Sequence, residues 1–172
     1  MLRMWMRWHL LLLAMAGASG GVVAAEQLEY AVKAAYLAKF ASYVDWPPAA
    51  FATPTSPVVL CVVGEDPFGP LLDEAAAGQQ VSGRAIVVRR LKSIGRDAGC
   101  HIAYLGKDAH ADDLRGTGTL VVADSGNGII NFVVKDNRVR FTVDDDAAAK
   151  NGLAISSKLL NVALSVKSRS PQ

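Results

Sequence analysis

A chain of 172 residues, 51% of them hydrophobic, is long enough to form one domain around its own core. Its 18 basic and 16 acidic side chains give a formal net charge of +2, and Arg3 and Arg7 of the first 25 residues account for that excess. Without those residues the charges balance, which excludes any general attraction to nucleic acid or anionic lipid.

The first 25 residues read as a secretory signal peptide. Arg3 and Arg7 form a basic n-region, residues 10–16 a short apolar run, and Val23-Ala24-Ala25 places small residues where a signal peptidase reads them. Cleavage is expected before Glu26, which leaves residues 26–172 as the exported domain, with no direct membrane insertion. A retained anchor is the weaker reading, because a span needs about 20 apolar residues and Gly17, Ser19, Gly20 and Gly21 interrupt this run.

Residues 29–45 have helix-forming composition, with Val32, Ala35, Tyr36, Phe40, Tyr43 and Val44 recurring at steps of three and four. The spacing predicts a long amphipathic helix ended by Pro47 and Pro48. Its aromatic row, Tyr36, Phe40, Tyr43 and Trp46, is read as core packing rather than a partner surface.

Past a proline-rich linker at 49–57, residues 58–63 make a continuous apolar run of the kind found in strands buried on both faces. Asp66-Pro67-Phe68-Gly69 turns the chain into a helix over 70–77. Further strands are predicted at 85–88, 102–105 and 119–123, with a polar segment at 107–114 that can form a short helix. Alternating segments at 129–135 and 138–143 flank Asp136-Asn137, whose short side chains tolerate the positive φ of a tight hairpin. Asp144-Asp145-Asp146 then caps an alanine-rich helix and Asn151-Gly152 stops it. Leu153, Ile155, Leu159, Leu160, Ala163 and Leu164 return to the core. This order predicts an α/β, Rossmann-like single domain, its largely parallel central sheet flanked by helices and extended by an antiparallel C-terminal hairpin.

Cys61 and Cys100 stand 39 residues apart, each in or beside an apolar strand-like run. In an exported chain a single bridge is the economical reading, worth about 4 kcal/mol on the chain-entropy model. A redox pair usually has closer spacing such as C-x-x-C.

Other chemistry is sparse. Asp124-Ser125-Gly126-Asn127-Gly128 fits neither a nucleophile elbow nor a phosphate-binding glycine pattern, and Gly106-Lys107 lacks the rest of a P-loop. His101 and His110, with Asp97, Asp108, Asp112 and Asp113, have no metal-ligand spacing, so no metal is expected. The Asp144–Asp146 trio lacks the alternating oxygen ligands of a calcium loop. Arg84, Arg89, Arg90 and Lys92 read as the solvated end of a strand rather than a phosphate site. No catalytic residue and no cofactor is expected.

A set of segments spread along the chain resembles the YfiR family of small periplasmic proteins. They are the helix ending Tyr43-Val44-Asp45-Trp46-Pro47, the strand and turn from Leu60 to Gly69, the cysteine in Cys100-His101-Ile102-Ala103-Tyr104-Leu105, and the hairpin ending Arg138-Val139-Arg140-Phe141 followed by Gly152-Leu153-Ala154-Ile155-Ser156-Ser157-Lys158-Leu159-Leu160. The resemblance implies a non-enzymatic periplasmic regulator that represses a membrane-bound diguanylate cyclase by binding its periplasmic sensory domain, lowering cyclic di-GMP. It also implies a cysteine pair at these places, in agreement with the Cys61–Cys100 bridge.

The chain departs from the family pattern in a shorter loop at 123–128, in Asp144 where asparagine is common, and in lacking the second cysteine pair of some relatives. Contact residues for the partner are not legible, and a homodimer is only the general expectation for soluble proteins. The alternative function is a periplasmic small-ligand binding protein, with the aromatic helix and the strand ends forming a pocket at a sheet switch point.

Overall fold

A computed structural model describes residues 19–124 and 126–169. The basic residues and apolar run of the expected leader lie outside this range. Its last residues begin α1 (Ser19–Phe40), which runs through the expected cleavage position. Ala24, Ala25, Glu26, Gln27 and Leu28 are good helix formers and carry the helix upstream of the predicted start at 29.

The helix also ends earlier than its prolines require. A 3₁₀ turn at Ala41–Tyr43 leads into β1 (Val44–Asp45), which pairs antiparallel with Ala154–Ile155. Cross-chain pairing at a β-branched valine overrides helical composition here. The buried face is rotated from the predicted one: Lys33, Ala34, Leu37, Ala38, Phe40 and Ala41 are buried, whereas Ala35 is exposed. Phe40 lies in the core, with Tyr36, Tyr43 and Trp46 packed against it, as the aromatic row predicts.

After a second 3₁₀ turn (Pro48–Ala50), the chain lays down β2 (Val58–Val63), α2 (Pro70–Ala76), β3 (Gln80–Val81), β4 (Arg84–Leu91), β5 (Ser93–Ile94) and β6 (Ile102–Leu105). It continues through β7 (His110–Ala111), β8 (Leu120–Ala123), β9 (Ile130–Lys135), β10 (Arg138–Asp144) and α3 (Asp145–Lys150). The last elements are β11 (Ala154–Ile155), α4 (Ser157–Leu160) and β12 (Ser165–Lys167). The short helix suggested for 107–114 is not formed. Part of that segment is β7, bridged in parallel to β5.

The main sheet has eight strands in the order β12-β10-β9-β8-β6-β2-β4-β3. Its middle, β9-β8-β6-β2-β4, is parallel, while β10 runs antiparallel to β9 and β3 antiparallel to β4. Numbered by their order in the chain, the parallel strands run 2-1-3-4-5, a doubly wound order whose switch point falls between β2 and β6.

Alternate residues of each strand face opposite sides. Val58, Leu60 and Val62 of β2, Ile102 and Tyr104 of β6, and Leu120 and Val122 of β8 join α1 and α2 in the larger core. Cys61, Val63 and Ala103 face the other way and join Ile94, Cys100 and Leu114 in a smaller cluster. One face is therefore covered by helices and the other by the loops around β5 and β7.

Two local predictions set the C-terminal half. Asp136 and Asn137 take φ of 51° and 56° at the hairpin turn. Asp144 caps α3 by accepting the Ala147 N–H at 2.8 Å, and Gly152, at φ 75°, ends it. The loop from β8 to β9 is tight: a side chain at Gly128 would overlap the Ile130 carbonyl, and Asn131 bonds both the N–H and the C=O of Gly128 at 2.8 Å.

Candidate functional site

The carboxyl ends of β2, β6 and β8 open into a cleft of about 1080 Å³, bounded on one side by α1 and on the other by the turn into α2. It lies at the switch point between β2 and β6, where doubly wound sheets bind ligands.

Backbone chemistry shapes this cleft. Asp66 Oδ1 accepts the N–H groups of Phe68 and Gly69 at 2.8 and 3.2 Å, folding the turn after β2. Arg90 on β4 locks it, donating to Asp66 Oδ2 at 2.7 Å, to the Gly69 carbonyl at 2.8 Å and to Asp73 of α2 at 2.6 Å. The Arg90 guanidinium holds the Asp73 carboxyl below its ordinary pKa. Beside the turn, Gly106 N–H donates to Val63 O at 2.9 Å, and a methyl group at Gly106 would overlap the Glu65 carbonyl oxygen.

The floor at Asp124, Tyr104 and Tyr30 is backed by a charged network. Lys33 is only 4% exposed, yet its ammonium bonds Glu29 at 2.6 Å and Asp124 Oδ2 at 3.0 Å. Tyr104 donates its hydroxyl to the same Asp124 oxygen at 3.0 Å. The Lys33 Nζ also lies 4.8 Å from the Tyr30 ring centroid, and Phe68 packs edge-on against both Tyr30 and Tyr104.

Burial alone would lower the Lys33 pKa, but the hydrogen bonds to Glu29 and Asp124 outweigh it and hold the ammonium above its ordinary value. Burial, reinforced by the neighbouring Asp124 carboxylate, pushes the Tyr104 phenol far up. Burial also raises Tyr30, with Lys33 opposing the shift and Asp124 adding to it. At neutral pH both phenols are protonated, and Tyr104 serves Asp124 as a donor.

Cys61 and Cys100 form a disulfide with Cα atoms 5.9 Å apart, buried in the smaller core behind the sheet. His101, beside it, faces neither the cleft nor a metal. The Val59 N–H donates to its Nδ1 at 3.1 Å, so Nε2 carries the proton and donates to Ala50 O at 3.0 Å. Phe51 stacks on the ring at 4.4 Å between centroids, and the Arg84 guanidinium lies 3.8 Å over Phe51. Burial, aided by the Arg84 charge and opposed by the Ala50 bond, lowers the His101 pKa.

Within the cluster Arg84, Arg89, Arg90 and Lys92, the three arginines are divided among separate tasks. Arg84 donates to the Thr53 and Ser56 carbonyls, Arg89 to Ala98 O, and Arg90 serves the cleft clamp. Among the described residues no group of three histidine, cysteine, aspartate or glutamate side chains could hold a metal. Asp113 pairs with Arg115 at 2.6 Å and is held at about 2 by that guanidinium. The acidic trio is paired: Asp144 with Lys167, Asp145 with Arg169, Asp146 with Lys150. Ser125 lies outside the described residues.

Lys33, Asp124, Tyr104 and Tyr30 were not singled out by sequence reasoning as a constellation. Their one signal is Lys33 itself, a charge standing in the row Tyr30, Ala34, Leu37 and Ala41, which otherwise reads as the buried stripe of the helix. Among the described residues no helix is long and apolar enough to cross a membrane.

A comparison with curated proteins gives no match. A family model described as YfiR/HmsC-like matches residues 30–164, from the middle of α1 to the approach to β12. With seven of the eight strands of the main sheet, α2 and the disulfide inside that match, the chain belongs to the YfiR/HmsC-like family.

Proposed function

We propose that this protein is exported to the periplasm with loss of residues 1–25, and there acts without catalysis, binding the periplasmic sensory domain of an inner-membrane diguanylate cyclase and repressing it. The observation that carries the reading is the family match over residues 30–164. A regulator of this kind works by linkage. It binds the inactive arrangement of the cyclase more tightly than the active one, and that difference in affinity sets how far the catalytic population shifts.

The test is cellular cyclic di-GMP in a deletion strain, complemented with the full chain or with a chain lacking residues 1–25. The reading expects a rise on deletion that only the exported form reverses. Unchanged cyclic di-GMP under conditions of proven expression, or equal rescue by the leaderless chain, overturns it.

A second reading, small-ligand binding, is favoured by the cleft at the switch point. The two are compatible, since a ligand that binds one partner-competent state would tune the interaction.

A further inference from the structure

We infer that the switch-point cleft is a binding site for a small organic cation, a protonated amine carried on an apolar body. The inference deepens the small-ligand reading and does not depend on the cyclase.

Charge selects the class. Two three-membered groups reach the cleft through Asp124 and Asp66: Glu29–Lys33–Asp124 and Asp66–Arg90–Asp73 each set two carboxylates against one cation. The lining carboxylates Glu26, Glu65, Asp66 and Asp124 stand against Lys107 and, once residues 1–25 are removed, the new α-ammonium of Glu26, so the cleft keeps surplus negative charge. A phosphate or nucleotide is disfavoured, because Lys33 and Arg90 are already engaged by carboxylates and Lys107 is outnumbered by the lining carboxylates. A cation is attracted before contact and screened by salt.

Geometry selects the anchor. Asp124 Oδ2 is occupied by Lys33 and Tyr104, which fixes the carboxylate, while Oδ1 has no hydrogen bond among the described residues on a side chain 35% exposed at the cleft. An ammonium donating to Oδ1 meets an acceptor already oriented, so little side-chain entropy is lost on binding. Tyr30, Pro67, Leu71 and Leu105 supply apolar walls for the rest of the ligand.

The experiment uses protein purified from the periplasm and three probes of nearly equal shape: 2-phenylethylammonium, neutral 2-phenylethanol and anionic 3-phenylpropionate. Thermal unfolding and calorimetric titration are run at low and high salt. The amine alone is expected to raise the unfolding midpoint with concentration, more weakly at high salt. Asp124→Asn, which loses the charge-assisted bond, is expected to weaken it by about tenfold. Where Asp124→Asn does not fold, Glu65→Gln at the exposed rim replaces it, with a smaller loss expected. No response to the amine at millimolar concentration, equal responses to all three probes, or amine affinity unchanged in the variants overturns the inference. Such a failure leaves the cyclic di-GMP result untouched, and a failure there leaves this binding result untouched.

Discussion

Lys33 and Asp124 stand 91 residues apart in the chain and 3.0 Å apart in space, so one buried ammonium ties the first helix to the turn that follows β8. Removing the lysine leaves Glu29 and Asp124 without their shared cation and takes the ammonium from over the Tyr30 and Phe132 rings. Lys33→Ala is expected to lower the unfolding free energy by about 1–3 kcal/mol, because it breaks two charge-assisted bonds and leaves two partly exposed carboxylates uncompensated. Lys33→Met keeps most of the stem and is expected to lose less. Urea unfolding separates the two, and an alanine variant within about 0.5 kcal/mol of the parent would contradict the account.

Burial of His101 makes stability depend on pH. Its folded pKa lies below the unfolded value of about 6.5, so between the two the unfolded chain binds more protons. The contribution is complete above about pH 6.5 and is lost as pH falls through the folded pKa, with a limiting slope of about 1.4 kcal/mol per pH unit. Protonating Nδ1 also removes the acceptor for Val59 N–H at the start of β2. His101→Gln is expected to flatten the stability profile between pH 7.5 and 5 while lowering its plateau. Parallel profiles for variant and parent would assign the acid sensitivity elsewhere.

The strands and caps that sequence made legible are those whose signal is local. The apolar run of β2, the Asp136-Asn137 turn and the Asp144 cap each rest on a handful of adjacent residues, and all three stand where composition puts them. β1, β5, β7 and β11 have two residues each, too short for any period, and exist because β1 meets β11 and β5 meets β7 in the folded chain. The rotated face of α1 has the same cause. A lysine in the buried row reads as polar until its partners, Glu29 and the distant Asp124, are seen beside it. A pocket at the switch point follows from topology, but its charge could not, because Asp66, Asp73 and Arg90 meet only after β4 packs against α2.

The Cys61–Cys100 bridge joins β2 to the segment just before β6, two neighbouring strands already paired in parallel from Leu60 and Ile102 onward. It restrains the unfolded chain over a separation of 39 residues, so its loss is expected to cost about 4 kcal/mol in the chain-entropy model. Denaturant unfolding of the oxidised and fully reduced protein measures that difference. Because the bridge lies behind the sheet, reduction under conditions where the fold persists is expected to leave the cleft's charged floor in place. Loss of amine binding in protein that remains folded would show that the two sides of the sheet are coupled.

Gly106 offers the most local test of how the cleft is held. Its N–H bonds Val63 O at the end of β2, and its missing side chain lets the Glu65 carbonyl approach where a methyl group would overlap it. Gly106→Ala must push the turn after β2 away from the end of β6, and overpacking against backbone costs about 1–3 kcal/mol. Gly95→Ala is the matched control, since the nearest atom there is a side-chain oxygen of Asp112, which can move aside. Thermal unfolding is expected to show a clear loss for Gly106→Ala and little change for Gly95→Ala. If the two variants unfold alike, the close approach of β6 to the Glu65 backbone does not hold the cleft's shape.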